Sequence, residues 1–419
     1  MPSWIEVPPN SPFTEDTLPY GIFSRRREPK RVGVALGDRI VDLSILAGAG
    51  YFDRVVADPI ALFAAPTLDR FAGAGRETWT AVRARIKALL ANDNDELRGD
   101  PLVLAPAIVA RDSVTVHRPI GVSDYVDFFS SIDHATNLGK IMRPDSEPLM
   151  PNYRSIPIGY HGRSSTVVIG GTQIRRPHGQ SKPAGATKPI FGPSAALDFE
   201  LEFAFVTGPG NALGSPIPIS AARDHIFGCT ILNDWSARDL QAWEYQPLGP
   251  FLAKSFATSI SPWIVPLEAL EPFRIATRAQ EPEPFAYLRA TEPWGFAIAF
   301  EVTLESARMR EEGVAPMTIS RTSFDGMYWS MAQQLAHVTA NGARISPGDL
   351  YGSGTISGPT PESYGSMIEL TWRGAHPIEL PTGERRAFLE DGDTVVMSAV
   401  AQKPGLRVGF GEVRGTIVA

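Results

Sequence analysis

Residues 197–205, L-D-F-E-L-E-F-A-F, alternate apolar and acidic side chains: Leu197, Phe199, Leu201, Phe203 and Phe205 against Asp198, Glu200 and Glu202. A period of two is the signature of a strand, which places three acids on one face and the apolar residues in a core. Like charges this close repel, and burying them without a counter-ion is costly. A divalent cation would resolve the conflict; a solvated outer face is the alternative reading of such a strand. Two more acids extend the pattern, Asp127 upstream and Asp234 downstream within N-D-W-S-A-R-D. Asp127, Glu200, Glu202 and Asp234 together read as an oxygen-only metal site.

The composition agrees with hard, oxygen-bound ions. The only cysteine, Cys229, lies in the apolar run I-F-G-C-T-I-L, so neither disulfides nor thiolate metal sites are available. Calcium or magnesium fits this inventory better than sulfur-bound zinc. The chain has 419 residues, 43% hydrophobic and 20% charged, with a formal net charge of -7. That is enough for more than one core, and its sign argues against adhesion to nucleic acid or anionic lipid. No apolar run is long enough for a membrane span and residues 1–10 lack the order of a secretory signal, so a cytoplasmic location is expected.

The first part of the chain carries little chemistry. Residues 31–46 read as short strands about a Gly37-Asp38 turn, and residues 76–92 repeat apolar positions at helical spacing. A boundary is expected near residue 118, giving domains 1–118 and 119–419. Beyond it, short strands punctuated by Gly and Pro dominate, with helices expected over 123–137, 234–245 and 323–340, and Pro-rich loops over 176–194 and 278–294.

Three segments concentrate reactive groups. In S-D-Y-V-D-F-F-S-S-I-D-H-A-T-N-L-G, a helix from Ser123 would put Asp127 and His134 two turns apart on one face, roughly 10 Å along the axis. A metal ligand and a proton-transfer histidine could then flank a small substrate. In N-D-W-S-A-R-D-L-Q-A-W-E-Y, helical spacing would align Asp234, Arg238, Gln241 and Tyr245 in one stripe. Lys254 follows between Phe251, Leu252 and Phe256, where a lysine ordinarily snorkels to solvent. Glu369, in G-S-M-I-E-L-T-W, reads as an acid on a strand that needs a partner.

With these segments in view, the chain resembles the fumarylacetoacetate hydrolase family. The resemblance rests on seven words in order: L-P-Y-G-I-F-S (18–24), D-Y-V-D-F-F-S-S-I-D-H-A-T-N (124–137), G-Y-H-G-R (159–163), L-D-F-E-L-E (197–202), the block from Asn233 to Phe256, G-S-G-T-I-S-G-P (352–359) and G-S-M-I-E-L (365–370). It implies a mainly β fold with some α: a small N-terminal Src-homology-3-like β-barrel, then a catalytic domain of rolled β-sheets, associated as a homodimer. By position, Asp127, Glu200, Glu202 and Asp234 match calcium ligands, and Asp234, Lys254 and Thr258 match a neighbouring magnesium site. His134 matches the catalytic base and Glu369 the acid that orients it. Arg238, Gln241 and Lys254 match donors around the leaving group, while Phe129, Arg143, Tyr160, Gln241, Tyr245 and Thr355 fall at substrate contacts. The implied activity is hydrolysis of the carbon-carbon bond of 4-fumarylacetoacetate, a small diketo acid, to fumarate and acetoacetate at the end of tyrosine and phenylalanine catabolism. Phe129 departs from the tyrosine common in the family, and Ile132 and Asp133 also differ. A related isomerase or decarboxylase and a calcium-binding structural protein are the rival expectations; neither a nucleic acid nor a membrane partner is expected.

Overall fold

A computed structural model describes residues 3–419. Two large sheets organise it. The larger contains a path of strands running from Ile108–Ala110 through Arg39–Asp42, Arg31–Leu36 and Tyr20–Ser24 to Trp263–Pro266, then Ile226–Asp234, Leu201–Thr207, Leu350–Gly352, Tyr125–Phe128 and Gly159–His161. The N-terminal strands are therefore continuous with those of the second part of the chain: Tyr20 pairs with Ile264 and Gly21 with Trp263. Only glycine fits this crossing, because a Cβ on Gly21 would lie 2.6 Å from the Trp263 ring. The second sheet orders Met317–Ser323, Ala299–Glu305, Thr394–Lys403, Leu406–Val418 and Gln173–Arg175.

Between the sheets lies the main core, where Phe203 meets Phe300, Phe324 and Phe410 edge-on at 5.0–5.8 Å between ring centres. Each fully buried ring of this kind contributes about 1.5–3 kcal/mol relative to exposure. A second core gathers Tyr20, Phe63, Phe71 and Trp79 from the N-terminal part around Phe227. Trp79, Val82, Ile86, Leu89 and Leu90 are the buried stripe of the helix Arg76–Leu90, as their spacing predicts. Cys229 is fully buried in the main core, beside Met331. No described helix is long and apolar enough to cross a membrane.

Five expectations need correction, each for a local reason. The segment 123–137 is not one helix: Tyr125–Phe128 is a strand paired with Leu350–Gly352, and the helix begins at Ile132. Ser131, rather than Ser123, is its cap, accepting from the His134 backbone N–H. Aromatic and β-branched residues in Y-V-D-F favour the strand, and the Ser131 hydroxyl offers a helix start only after it. Likewise Asp234 ends the strand Ile226–Asp234, and the following helix is limited to Arg238–Glu244. The helix expected over 323–340 is confined to Met331–Thr339, opened by a Ser330/Gln333 capping box. Within 176–194 a hairpin pairs His178–Ser181 with Ile190–Pro193; its prolines lie at the ends or in the connection. Glu369 is on a short helix, Met367–Leu370, rather than a strand.

Candidate active site

The opening stretch is two strands, Leu197–Asp198 and Leu201–Thr207, broken at Phe199–Glu200. Both faces are buried, so the acids line neither a solvent face nor a single row. Glu200 and Glu202 turn toward Asp127, within the strand Tyr125–Phe128, and Asp234, at the end of Ile226–Asp234, the strand paired with Leu201–Thr207. Each of these four buried side chains offers a carboxylate oxygen within 4.8 Å of the others. Asp198 is not among them; it pairs with Arg238 instead, at 2.7 Å. The break at Phe199–Glu200 explains why strict alternation assigned it to the wrong company.

Protein groups satisfy only part of this cluster. Lys254 is buried rather than snorkelling to solvent as a lysine in such a run ordinarily does, with Nζ 2.5 Å from Glu200 Oε2 and 2.6 Å from Asp234 Oδ2. Tyr160 donates to Asp234 Oδ2 at 3.1 Å, Thr258 to Asp234 Oδ1 at 3.1 Å and the Gly354 N–H to Glu202 Oε2 at 3.0 Å. Asp127 Oδ1 and Glu202 Oε1 are buried with no hydrogen-bond partner. Burial, and then neighbouring carboxylates with Asp234 foremost for Asp127 and Asp127 foremost for Glu202, push both acids well above the ordinary range. Burial also acts to raise Glu200, but the Lys254 and Arg238 cations outweigh it and hold that carboxyl far down. Burial would favour neutral Lys254, yet Asp234 and Glu200 keep it charged. Two orphaned carboxylate oxygens in residues of one acid-rich cage are what a hard divalent cation neutralises. The residues fit such an ion.

Beside the cage, His134 and Glu369 come together from positions 235 residues apart, with His134 Nδ1–H donating to Glu369 Oε2 at 2.7 Å. The Glu369 carboxylate is fully buried and held on all sides. It also accepts from Ser357 at 2.9 Å and Ser366 at 2.7 Å on Oε2, and from Asn137 at 2.9 Å on Oε1. Burial raises the Glu369 carboxyl, but the adjacent His134 and these donors prevail and place it below the ordinary value. Asn137, Ser357 and Ser366 were not singled out from sequence, although all three lie in or beside the quoted words. Their signal was hydroxyl and amide groups flanking an acid that needs partners.

A cavity of about 410 Å³ opens onto both groups. Asp127, Glu200, His134, Arg238, Lys254 and Thr355 line it, as do Phe129, Arg143, Tyr160, Gln241 and Tyr245. Glu202, Asp234, Thr258 and Glu369 stand behind that wall. The Thr355 hydroxyl is buried without a partner, an available donor at the cavity edge. Phe129 packs edge-on to the His134 ring at 5.3 Å and to Tyr153 at 6.0 Å, closing that side with apolar surface. Arg238 reaches Gln241 Oε1 at 3.0 Å through Nη1, while Nη2 lies 2.8 Å from Glu200 Oε1. Arg143 donates to the Pro148 carbonyl at 3.0 Å from the helix that bears His134.

An acid-held histidine, a cage for a hard cation and a cationic wall around one cavity define a metal-assisted hydrolase type of site. Family models make the class specific: "Fumarylacetoacetate (FAA) hydrolase C-terminal" matches residues 125–418 and "Fumarylacetoacetase N-terminal" matches residues 16–119. The fumarylacetoacetase of Homo sapiens is 47% identical over 417 residues, covering 99% of this chain and 98% of its own. That of Caenorhabditis elegans is 48% identical, covering 100% and 99%; that of Arabidopsis thaliana is 45% identical, covering 100% and 98%. A solved structure described as fumarylacetoacetate hydrolase from Exiguobacterium antarcticum shares the fold, with a TM-score of 0.54 at 16% identity over 96% of this chain and 99% of that one. The chain belongs to the fumarylacetoacetate hydrolase family.

Proposed function

We propose that this protein hydrolyses fumarylacetoacetate to fumarate and acetoacetate, closing tyrosine catabolism. The observation that carries the reading is the His134–Glu369 contact of 2.7 Å at the wall of a cavity that also presents the carboxylate cage. Full-length likeness to fumarylacetoacetases supports the choice of substrate.

Asp127, Glu200, Glu202 and Asp234 would hold calcium, which supplies Lewis-acid polarisation of the diketone when bound. A separate magnesium at Asp234, Lys254 and Thr258 is less well served: the Lys254 ammonium has no lone pair, so only Asp234 and Thr258 present side-chain oxygen. With Nδ1–H engaged by Glu369, His134 has Nε2 free to accept a proton from water as that water attacks the carbonyl next to the fumaryl portion. Glu369 stabilises the imidazolium so formed. Breakage of the carbon-carbon bond leaves its electron pair on the acetoacetate carbon, delocalised as an enolate. Arg238 and Lys254 face the cavity as fixed cations and, with Gln241, stabilise this charge until the carbon takes up the proton that His134 removed from water, which returns the imidazole to its starting state. Arg143, Tyr160, Tyr245 and Thr355 contact the substrate's oxygens, and Phe129 packs on its apolar chain. The same reading includes a cytoplasmic homodimer, for which the mass in solution is the check.

Product analysis tests the activity. Fumarate and acetoacetate appearing in equal amounts support hydrolysis; an isomerised or decarboxylated single product from the same substrate overturns it.

A further inference from the structure

Asp198 is fully buried and is neither one of the four cage acids nor among the residues lining the active-site cavity, yet it touches both halves of the site. Its Oδ2 accepts from Arg238 Nε at 2.7 Å and from the Ile368 N–H at 3.0 Å. Its Oδ1 accepts from the Met367 N–H at 2.6 Å and the Phe199 N–H at 2.8 Å. Met367 and Ile368 open the short helix that presents Glu369 to His134. Arg238 lines the cavity, where the hydrolase reading gives it the leaving group. A single carboxylate thus joins the cation at one end of the reaction to the acid that aims the base at the other.

We propose that Asp198 is a positioning residue, fixing Arg238 toward the cavity and the Glu369 segment toward His134 through the same carboxylate. The inference rests on the hydrolase reading above. Two features of the geometry support it. Arg238 has two acidic neighbours, and the other is Glu200, with Nη2 2.8 Å from Oε1. Without the Nε anchor on Asp198, the guanidinium is free to follow Glu200, a residue of the cage, and leave its place beside Gln241. Second, all four groups that reach Asp198 are donors, two on each oxygen. An amide of the same shape puts an NH2 against two of them, so Asp198→Asn cannot preserve the arrangement whichever way it turns.

Steady-state kinetics on Asp198→Asn test this, with cycles against Arg238→Met and Glu369→Gln. Outer partners of catalytic groups cost roughly 10- to 100-fold when removed, and a loss of that size is expected in kcat, with KM changed less than about twofold because Asp198 does not touch substrate. The loss should shrink severalfold in each of the two backgrounds, since the residue through which Asp198 acts is then already missing. Wild-type kcat in folded Asp198→Asn, or additive losses in either cycle, would overturn the proposal. Should Asp198→Asn not fold, Asp198→Glu retains the charge and moves the carboxylate by one methylene. It is expected to lose about tenfold in kcat, and wild-type kcat there contradicts the proposal equally. If the wild-type protein does not cleave fumarylacetoacetate, the hydrolase reading fails by itself; the positioning is then read from the crystal structure of Asp198→Asn. Arg238 displaced from its place beside Gln241 supports it, and Arg238 and Glu369 both unmoved refute it.

Discussion

His134 has one ring nitrogen committed to Glu369 at 2.7 Å, and that commitment decides which nitrogen is left for water. Replacing His134 by Ala in metal-loaded protein should lower kcat by roughly 10²- to 10⁴-fold; near-full turnover would remove it from the role of base. Glu369 makes a separate prediction in stability. Its folded carboxyl lies below the ordinary 4.5, so its contribution is fully present above about pH 4.5 and is lost as pH falls through the depressed folded value. Glu369→Gln should therefore unfold at lower urea than the wild type at pH 7, with the gap narrowing as pH falls below 4.5. A gap independent of pH would show that the charge contributes nothing. Alternation in residues 197–205 singled out Glu200 and Glu202 as acids in need of a counter-charge, while it was the resemblance that joined His134 to Glu369. The bonding of Asp198 was not legible, since its partners, the Met367 and Ile368 N–H groups, lie 169 and 170 residues away. For Lys254 the local apolar context says only that a lysine is out of place, not that Glu200 and Asp234 wait for it inside; its placement in the site came from the resemblance.

The base is delivered by the turn from the strand Tyr125–Phe128 into the helix Ile132–Met142. Ser131 holds that turn, accepting from the His134 N–H at 3.2 Å and donating to the Ser357 carbonyl at 3.1 Å. Ser131→Ala should cost about 0.5–2 kcal/mol in equilibrium unfolding, the range for a lost helix cap; an unchanged midpoint would show that the cap is dispensable. Opposite this turn, Gly354 has φ +77, and a Cβ there would come within 2.2 Å of the Phe128 carbonyl oxygen. Gly354→Ala should destabilise by more than about 1 kcal/mol and displace the Glu202 anchor, whereas alanine at an exposed position without such a contact would not. Helical spacing from Asp127 to His134 was a real pattern in the residues, but it runs across a strand, a turn and a helix. Periodicity alone cannot see that Tyr125–Phe128 has a partner in Leu350–Gly352, whereas the aromatic and β-branched content of Y-V-D-F is visible locally and was outweighed.

Three separate chain segments, around Asp127, Glu200–Glu202 and Asp234, contribute to the carboxylate cage, so metal occupancy is a property of the folded protein rather than of one element. The strand-rich character and the amphipathic helix Arg76–Leu90 follow from composition and spacing. The continuity of the N-terminal strands with the catalytic sheet, through Tyr20 and Ile264, depends on a choice of partner across the molecule that no local pattern encodes. With the ion removed, buried carboxylates repel and Asp127 and Glu202 lose their counter-charge, so chelation should lower the thermal midpoint and calcium should restore it. An identical midpoint with and without chelator, under conditions where calcium binding is demonstrated, would separate the cage from stability. The most direct measurement is the decay of fumarylacetoacetate absorbance with purified protein, before chelation, after it and after calcium is added back. Rapid cleavage that is lost on chelation and returns with calcium is the result expected here. Absence of cleavage by protein with calcium demonstrably bound would contradict the assignment of this site to that substrate.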